Sequence, residues 1–115
     1  MFLAALAGAT CLMRAAVGEI AAAPGGKDFV LRLLDECRAI AEAVGFPPRP
    51  ATLDRVREQL TAAGSPFKAS MLRDMESGGP IEAEHIIGDL LQRGNDDTVL
   101  LPAVYAALKI YESRR

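Results

Sequence analysis

Ser70 and Glu82 are the residues whose types and spacing best suit the binding of a small polar molecule. They lie on either side of a corner, Gly78-Gly79-Pro80, that separates two short predicted helices. A hydroxyl and a carboxylate on one concave surface can bind and orient a ligand. The alternative is structural, with Ser70 bonding a backbone carbonyl and Glu82 complementing a helix dipole. We predict that both side chains face the same concavity, near the N-terminal helix.

Other chemistries require motifs that this sequence lacks. Glu82 and His85 have the Glu-x-x-His spacing of a di-iron bundle, but such bundles use a second copy and two further glutamates. The chain has one histidine, so we expect no metal site. Neither Gly-x-Gly-x-x-Gly nor a Gly-Lys-Ser or Gly-Lys-Thr phosphate loop occurs. The sequence therefore predicts no cofactor-binding residues within these 115 positions.

Composition limits the partners and the compartment. Thirteen basic and 15 acidic residues give a net charge of -2, which leaves no broad basic field for nucleic acid. The apolar run Met1 to Met13 is too short to cross a bilayer, and no basic residue precedes Arg14 as a secretory signal requires. Cys11 and Cys37 have apolar neighbours that favour buried free thiols. We therefore expect no membrane partner and a cytoplasmic location.

The three- and four-residue spacing of apolar residues, with Gly and Pro at the ends of these segments, predicts an all-α fold, a single bundle of about five to seven helices. Alanine and leucine dominate, and no linker divides the chain, so residues 1–115 are predicted to form one domain. The predicted helices are Met1 to Met13, Val17 to Ala22, Lys27 to Val44, Thr52 to Ala63, Ser65-Pro66 to Gly78-Gly79, Pro80 to Arg93 and Pro102 to Tyr111. A polar loop is predicted at Asn95 to Thr98, and Phe67, Met71 and Met75 are predicted to point inward.

The stretch Ala-Ser-Met-Leu-Arg-Asp at 69–74, followed by Pro80-Ile81-Glu82, resembles the C-terminal domain of the ketopantoate reductases (2-dehydropantoate 2-reductases). That family has Ser-Ser-Met-Leu-x-Asp and then a Gly-Arg-x-Thr-Glu-like turn. Further matches in order and spacing are Thr10, Gly18-Glu19-Ile20, Gly45 after the Lys27 to Val44 helix, Leu101-Pro102, Tyr105, Leu108-Lys109 and Glu112. The resemblance covers essentially the whole chain.

The resemblance implies a helical substrate domain that packs against an NADP-binding Rossmann domain, with the active site in the cleft between them. It implies that Ser70 is a substrate-binding residue for the carboxylate of a small 2-keto acid. It implies that Glu82 is a catalytic residue, which holds the substrate hydroxyl and tunes a catalytic lysine. NADP is then the cofactor of the full-length family, in a domain that we expect to be absent here.

The sequence departs from the family at the N-terminal helix. By spacing, the catalytic lysine would fall upstream of Met1, and two substrate-facing asparagines would fall at Leu3 and Ala7. We therefore expect the isolated chain to be inactive as the oxidoreductase that makes pantoate for pantothenate biosynthesis. One alternative is a stand-alone helical interaction or dimerisation module without catalysis. Another is an unrelated helix bundle with no ligand.

The Met1 to Met13 helix also predicts self-association. Its large apolar side chains surround the helix rather than form one stripe, and one bundle cannot easily cover such a helix. These side chains are Met1, Phe2, Leu3, Leu6, Leu12 and Met13. Large exposed apolar patches are uncommon on soluble monomers, so we expect a homodimer or higher oligomer whose interface includes this helix. The alternative is that neighbouring helices close over it.

Overall fold

The computed structural model describes residues 2–94 and 98–115, and every regular element in these ranges is helical. The elements are α1 (Phe2–Met13), α2 (Val17–Ala22), α3 (Gly26–Ala43), α4 (Pro50–Leu60), α5 (Ser70–Glu76), a π-helical turn (Glu84–Gly88), α6 (Asp89–Arg93), which continues that turn directly, and α7 (Leu100–Ser113). The predicted all-α bundle is confirmed. Met1 and residues 95–97 of the predicted loop lie outside the described residues.

Helix α1 lies at the centre of the bundle, where it packs against α3, α5, α7 and the π-helical turn. Its residues from Ala4 to Cys11 are all buried. The surrounding helices bring apolar side chains at three- and four-residue spacing: Val30, Leu33, Leu34, Cys37 and Ile40 on α3, and Leu101, Val104 and Leu108 on α7. Since these residues form one contiguous core, the described chain is built as a single unit.

One bundle buries most of α1 but not all of its large apolar side chains, as the sequence predicted. Its alanines and Gly8 are small, so neighbouring helices approach closely on several sides. Leu6 is buried, and Phe2 and Leu12 are partly buried. Two large apolar side chains of the described part of α1 remain exposed, Leu3 at 72% and Met13 at 45%.

The helix predicted from Ser65 onward begins only at Ser70. The preceding segment is extended because its carbonyls bond the start of α2. The Ser65 and Phe67 carbonyl oxygens accept hydrogen bonds from the backbone N–H groups of Gly18 (2.8 Å) and Val17 (2.9 Å). These N–H groups have no partner inside their own helix. These hydrogen bonds to α2 thus prevent the helix that Ser65-Pro66 would otherwise begin.

Because α5 begins only at Ser70, an apolar side chain before Ser70 is less buried than predicted, whereas the apolar side chains within α5 are buried. Phe67, which was predicted to point inward, is 43% exposed, whereas Met71 and Met75 are buried as predicted.

The next helix also starts later than predicted, because Pro80 and Ile81 are not helical. Glu82 therefore precedes this helix rather than belonging to its first turn, and its carbonyl accepts the Ile86 N–H at 3.2 Å.

Candidate functional site

Ser70 is positioned by a polar contact inside the core. Thr10 of α1 is fully buried, and its hydroxyl donates to the carbonyl oxygen of Leu6 at 2.8 Å. The same hydroxyl accepts the backbone N–H of Ala69 at 3.3 Å. Both hydrogen-bonding capacities of a buried hydroxyl are thereby used, which a core polar group requires. The residue before Ser70 is therefore fixed to the central helix.

The segment before Ser70 is held equally closely by α2. A Cβ atom at Gly18 would lie 2.5 Å from the backbone nitrogen of Ser65 and 2.7 Å from the carbonyl carbon of Gly64. No side chain other than hydrogen fits in that space, so glycine is required for the two backbones to meet. This contact places Phe67 and Lys68 beside the N-terminal half of α1.

Glu82 is positioned by the corner that ends α5. Gly78 has a left-handed backbone, with φ of 75°, and its N–H donates to the carbonyl oxygen of Met75 at 3.1 Å. The N–H of Gly79 donates to the carbonyl oxygen of Asp74 at 2.8 Å. These two bonds are those of a Schellman motif, which stops the helix and turns the chain toward Pro80.

The end of α7 holds this corner from the outside. The Tyr111 hydroxyl donates to the Gly79 carbonyl oxygen at 2.7 Å, and Arg115 Nε donates to the Gly78 carbonyl oxygen at 3.1 Å. The Arg14 guanidinium lies 5.6 Å from the Tyr111 ring centroid, within the range of a cation–π contact. Three separate elements therefore meet at the corner that leads to Glu82.

Ser70 and Glu82 line one cleft of about 250 Å³, which we call the acidic cleft. Its other lining residues are Met71, Asp74, Pro80, Ile81 and Ile86. The prediction that the two side chains face one concavity is confirmed. No side chain of the described residues caps the start of α5 or of the π-helical turn. Glu82 directly precedes the helix that begins at Ala83, so its carboxylate is also placed where it complements the helix dipole, as the structural alternative requires.

A second concavity of about 430 Å³, the apolar hollow, adjoins the cleft and lies against α1. It is lined by Phe2, Leu3, Leu6, Ala7, Phe67, Lys68, Ala69, Ser70, Met71, Arg73 and Ile86. Ser70, Met71 and Ile86 thus belong to both concavities. Leu3 and Ala7, where the resemblance places asparagines, line the apolar hollow and make part of its wall apolar.

The two concavities differ in charge. The lining of the acidic cleft includes the carboxylates of Asp74 and Glu82 and no cation. The lining of the apolar hollow includes Lys68 and Arg73 and no carboxylate. Lys68 pairs with a Glu76 carboxylate oxygen at 3.2 Å, whereas Arg73 makes no ion pair within residues 2–94 and 98–115. A ligand that spans Ser70 would therefore meet opposite charges at its two ends.

An exposed polar cluster joins the π-helical turn to α7. The Tyr105 hydroxyl donates to the Glu84 carboxylate, and Lys109 Nζ lies 3.0 Å from oxygens of both Glu84 and Glu112. The hydrogen bonds from Tyr105 and Lys109 lower the pKa of Glu84, and those to Glu84 and Glu112 raise the pKa of Lys109. These charged groups are paired with one another, so the cluster links the π-helical turn, which carries Ile86, to α7.

The remaining candidates supply no reactive group. His85 faces a different depression, beside Leu3 and Arg93, and the described ranges contain no cluster of three potential metal ligands. Cys11 and Cys37 are free and buried, and burial raises the pKa of each thiol to about 12, so neither forms a nucleophilic thiolate readily. The helices of the described ranges are all too short or too polar to span a membrane.

The residues present do not fit NADP. A dinucleotide-binding turn follows a β-strand and opens a helix, whereas the sequence has no Gly-x-Gly-x-x-Gly and residues 2–94 and 98–115 contain no strand.

Sequence analysis named Thr10, Phe67 and Tyr111 but did not predict that they shape the site. Thr10 had a recognisable signal, as the one hydroxyl in an apolar helix, but the roles of Phe67 and Tyr111 depend on contacts with residues distant in the sequence.

Residues 1–112 match the protein family described as "Ketopantoate reductase PanE/ApbA C terminal". The chain is 32% identical over 118 residues to an uncharacterized oxidoreductase, YkpB, of Bacillus subtilis, a match that covers the whole chain and 39% of that protein. It is 27% identical over 96 residues to a 2-dehydropantoate 2-reductase of Halobacterium salinarum, which covers 84% of the chain and 31% of the relative.

A solved structure gives the same result for the fold. A dimeric ketopantoate reductase from Staphylococcus aureus superimposes with a TM-score of 0.79 over 98% of the chain, at 27% identity. The match covers 41% of that solved chain. The chain thus spans well under half the length of each of these relatives.

Proposed function

The chain belongs to the family of ketopantoate reductase C-terminal domains, and we propose that it is the substrate-binding part of a ketopantoate-reductase-like oxidoreductase. The reaction is the NADP-dependent reduction of ketopantoate, or of a related 2-keto acid, to the 2-hydroxy acid. The observation that carries this proposal is that Ser70 and Glu82, twelve positions apart, line one cleft. A Rossmann domain would have to supply the dinucleotide site, because the sequence has no Gly-x-Gly-x-x-Gly and the part of the chain that the structure describes has no strand.

Ser70 and Glu82 have complementary tasks in this proposal. The Ser70 hydroxyl donates a hydrogen bond to the substrate carboxylate, and Glu82 accepts one from the hydroxyl of the 2-hydroxy acid. Glu82 also stabilises the ammonium form of a lysine brought by the other domain, since a nearby carboxylate favours the charged state of an amine. The chain's own contribution is then to bind the acid and to orient its reacting oxygen.

A chimera tests this function. The chain replaces the C-terminal part of the Staphylococcus aureus reductase, and ketopantoate-dependent NADPH oxidation is measured. We expect activity that falls about 100-fold or more in kcat with Glu82→Gln, since positioned acid–base groups commonly contribute at least that much. Ser70→Ala should mainly raise KM. Glu58→Gln, an exposed glutamate of α4, is the matched control and should leave both constants unchanged.

Two further measurements keep the test decisive. The isolated chain should oxidise no NADPH above the buffer rate, and its backbone amide resonances near Ser70 and Glu82 should shift when ketopantoate is added. A folded chimera without activity, together with no ketopantoate-dependent shift, would contradict the proposal. That result would favour the alternative of a stand-alone helical interaction or dimerisation module without catalysis.

We also propose that the chain forms a homodimer in the cytoplasm. Its solved relative is dimeric, and both thiols are free and buried, as in a reducing compartment. Because Leu3 lines the apolar hollow, we assign the contact to the Met13 end of α1. Sedimentation at micromolar concentration should give a dimer that Met13→Glu dissociates and Ile110→Glu, an exposed control on α7, does not. A monomeric parent chain would contradict this assignment.

A further inference from the structure

The apolar hollow has exposed aromatic and aliphatic walls that a small polar acid would leave uncovered. Leu3 is 72% exposed and Phe67 is 43% exposed, and both lie in its lining. We propose that the hollow binds the apolar body of an organic acid whose carboxylate lies between Ser70 and Arg73, so that the site selects 2-keto acids with a bulky branched or aromatic substituent. This inference rests on the proposed function, because it names the substrate class of the same site.

The chemistry of the walls supports an apolar occupant. Phe2, Leu3, Leu6 and Ala7 of α1 line the hollow, together with Phe67 and Ile86. Its volume of about 430 Å³ falls within the roughly 300–1,000 Å³ of small-molecule pockets, which are mostly apolar with a few polar groups. Pyruvate, with a single methyl group beyond its keto carbon, would leave most of these walls in water.

The polar groups at the rim support a carboxylate. Ser70 and Arg73 are three positions apart on α5, so their side chains are neighbours on one face of the helix. Arg73 has no ion-pair partner among the described residues, and a guanidinium binds carboxylates with charge-assisted hydrogen bonds. Asp74, one position further, lies on the side of the acidic cleft. Charge therefore orients the acid group toward the hollow and the reacting oxygen toward Glu82.

The walls are held in place before any ligand arrives. The Phe67 carbonyl oxygen accepts the Val17 N–H at 2.9 Å, and its ring lies 6.0 Å from the ring of Phe2, centroid to centroid. Leu6, which also lines the hollow, is buried in the core. A pocket of this kind loses little conformational freedom on binding, so the added apolar surface of a ligand should contribute to its affinity.

The test compares three probes on the isotope-labelled chain by titration and NMR. They are phenylpyruvate, pyruvate and the neutral analogue 3-phenylpropanamide. We expect phenylpyruvate to bind at least about tenfold more tightly than pyruvate, because burial of apolar surface is favourable. We expect the neutral amide to bind at least about tenfold more weakly than phenylpyruvate, because it lacks the charge that Arg73 recognises. The shifted resonances should include Ala7, Phe67 and Ser70.

Matched variants locate the site. Leu3→Asn should reduce the preference for phenylpyruvate over pyruvate, and Ile110→Asn, at another exposed aliphatic position on α7, should not. Arg73→Gln should weaken phenylpyruvate binding about tenfold, whereas Arg55→Gln on α4 should have no effect. Leu3, Arg73, Ile110 and Arg55 are exposed, so these changes are expected to leave the fold intact, which circular dichroism checks.

The outcomes separate this inference from the proposed function. Equal affinities for phenylpyruvate and pyruvate, with shifts at Ser70 and Glu82, would overturn the substrate class and leave the function standing. Phenylpyruvate binding that Leu3→Asn and Arg73→Gln weaken, together with an inactive folded chimera, would support binding in the hollow and contradict the function. Binding that neither Ser70→Ala nor Arg73→Gln weakens would overturn the inference. No binding of phenylpyruvate or pyruvate, while ketopantoate still shifts the Ser70 and Glu82 resonances, would overturn the inference and leave the function standing. Concentration-dependent broadening of Phe2, Leu3 and Phe67 without ligand would make the hollow a self-association surface and overturn the inference.

Discussion

The acidic cleft and the apolar hollow share Ser70, yet their outer walls are held in different ways. The hollow is bounded by α1 and by the segment before α5, which Thr10 and Gly18 fix to the core. The outer wall of the cleft is the corner at Gly79, which is held by the hydroxyl of Tyr111 from the end of α7. The hollow should therefore change only when the fold is perturbed, whereas the cleft should respond to local substitutions that leave the core intact.

The strongest test of this difference is Gly18→Ala. The new Cβ would lie 2.5 Å from the Ser65 nitrogen, so one backbone must move, and overpacking of this kind costs about 3 kcal/mol. We expect a large fall in the free energy of unfolding, measured with urea, and loss of ligand binding in the hollow. Gly79→Ala is the control, because its Cβ would lie at an ordinary 3.4 Å from the nearest atom. Unchanged stability in Gly18→Ala would show that the hollow wall is not locked to α2.

Thr10→Val should have the next largest effect. It removes the hydroxyl that bonds Leu6 and Ala69 and leaves a buried N–H unpaired, which costs about 1–3 kcal/mol. Because Ala69 precedes Ser70, substrate binding should weaken in both concavities. Thr61→Val removes a comparable bond, to the Arg57 carbonyl, at an exposed site and should be nearly neutral. Equal losses in the two variants would mean that burial of the Thr10 bond is unimportant.

Tyr111→Phe should affect the cleft without affecting the hollow. It removes the hydrogen bond to the Gly79 carbonyl, worth about 1 kcal/mol, and keeps the ring beneath Arg14. We expect amide shifts around Glu82 and weaker contact of the ligand with that carboxylate, while the resonances of Phe2 and Phe67 stay in place. Resonances that shift as much in the hollow as in the cleft would contradict the separation of the two walls.

The smallest effect is expected at Glu84. Hydrogen bonds from Tyr105 and Lys109 lower its pKa in the folded chain, so this stabilisation is present above the ordinary glutamate pKa and is lost as pH falls through the lowered value. Glu84→Gln should therefore be slightly less stable than the parent at neutral pH and equal to it once the pH falls below the lowered pKa of Glu84. Urea unfolding across pH, with Glu58→Gln as the control, measures this. A stability difference that is independent of pH would rule out the charge as its cause.

Sequence patterns predicted the helices well where the local signals and the tertiary contacts agree. The start and end of α2 were predicted correctly, and the apolar stripe of α3 is buried as its spacing indicated. The predictions were wrong where distant backbone groups competed with local signals. Ser65-Pro66 has the sequence of a helix start, but its carbonyls instead accept the first N–H groups of α2. For α1, the sequence predicted that some large apolar side chains stay uncovered but not which ones: neighbouring helices bury Leu6, whereas Leu3 and Met13 are exposed.

The sequence by itself determined the helical class and the corner at Gly78-Gly79-Pro80, because these depend on residue type and short-range spacing, and it predicted Ser70 and Glu82 as the site residues. Tertiary structure alone decided that α1 is central, that Phe67 faces outward and that the cation of Arg73 and the carboxylate of Glu82 lie on different sides of Ser70. The physical reason is that burial and backbone pairing depend on which distant segments meet. Local sequence propensity does not determine which distant segments come into contact.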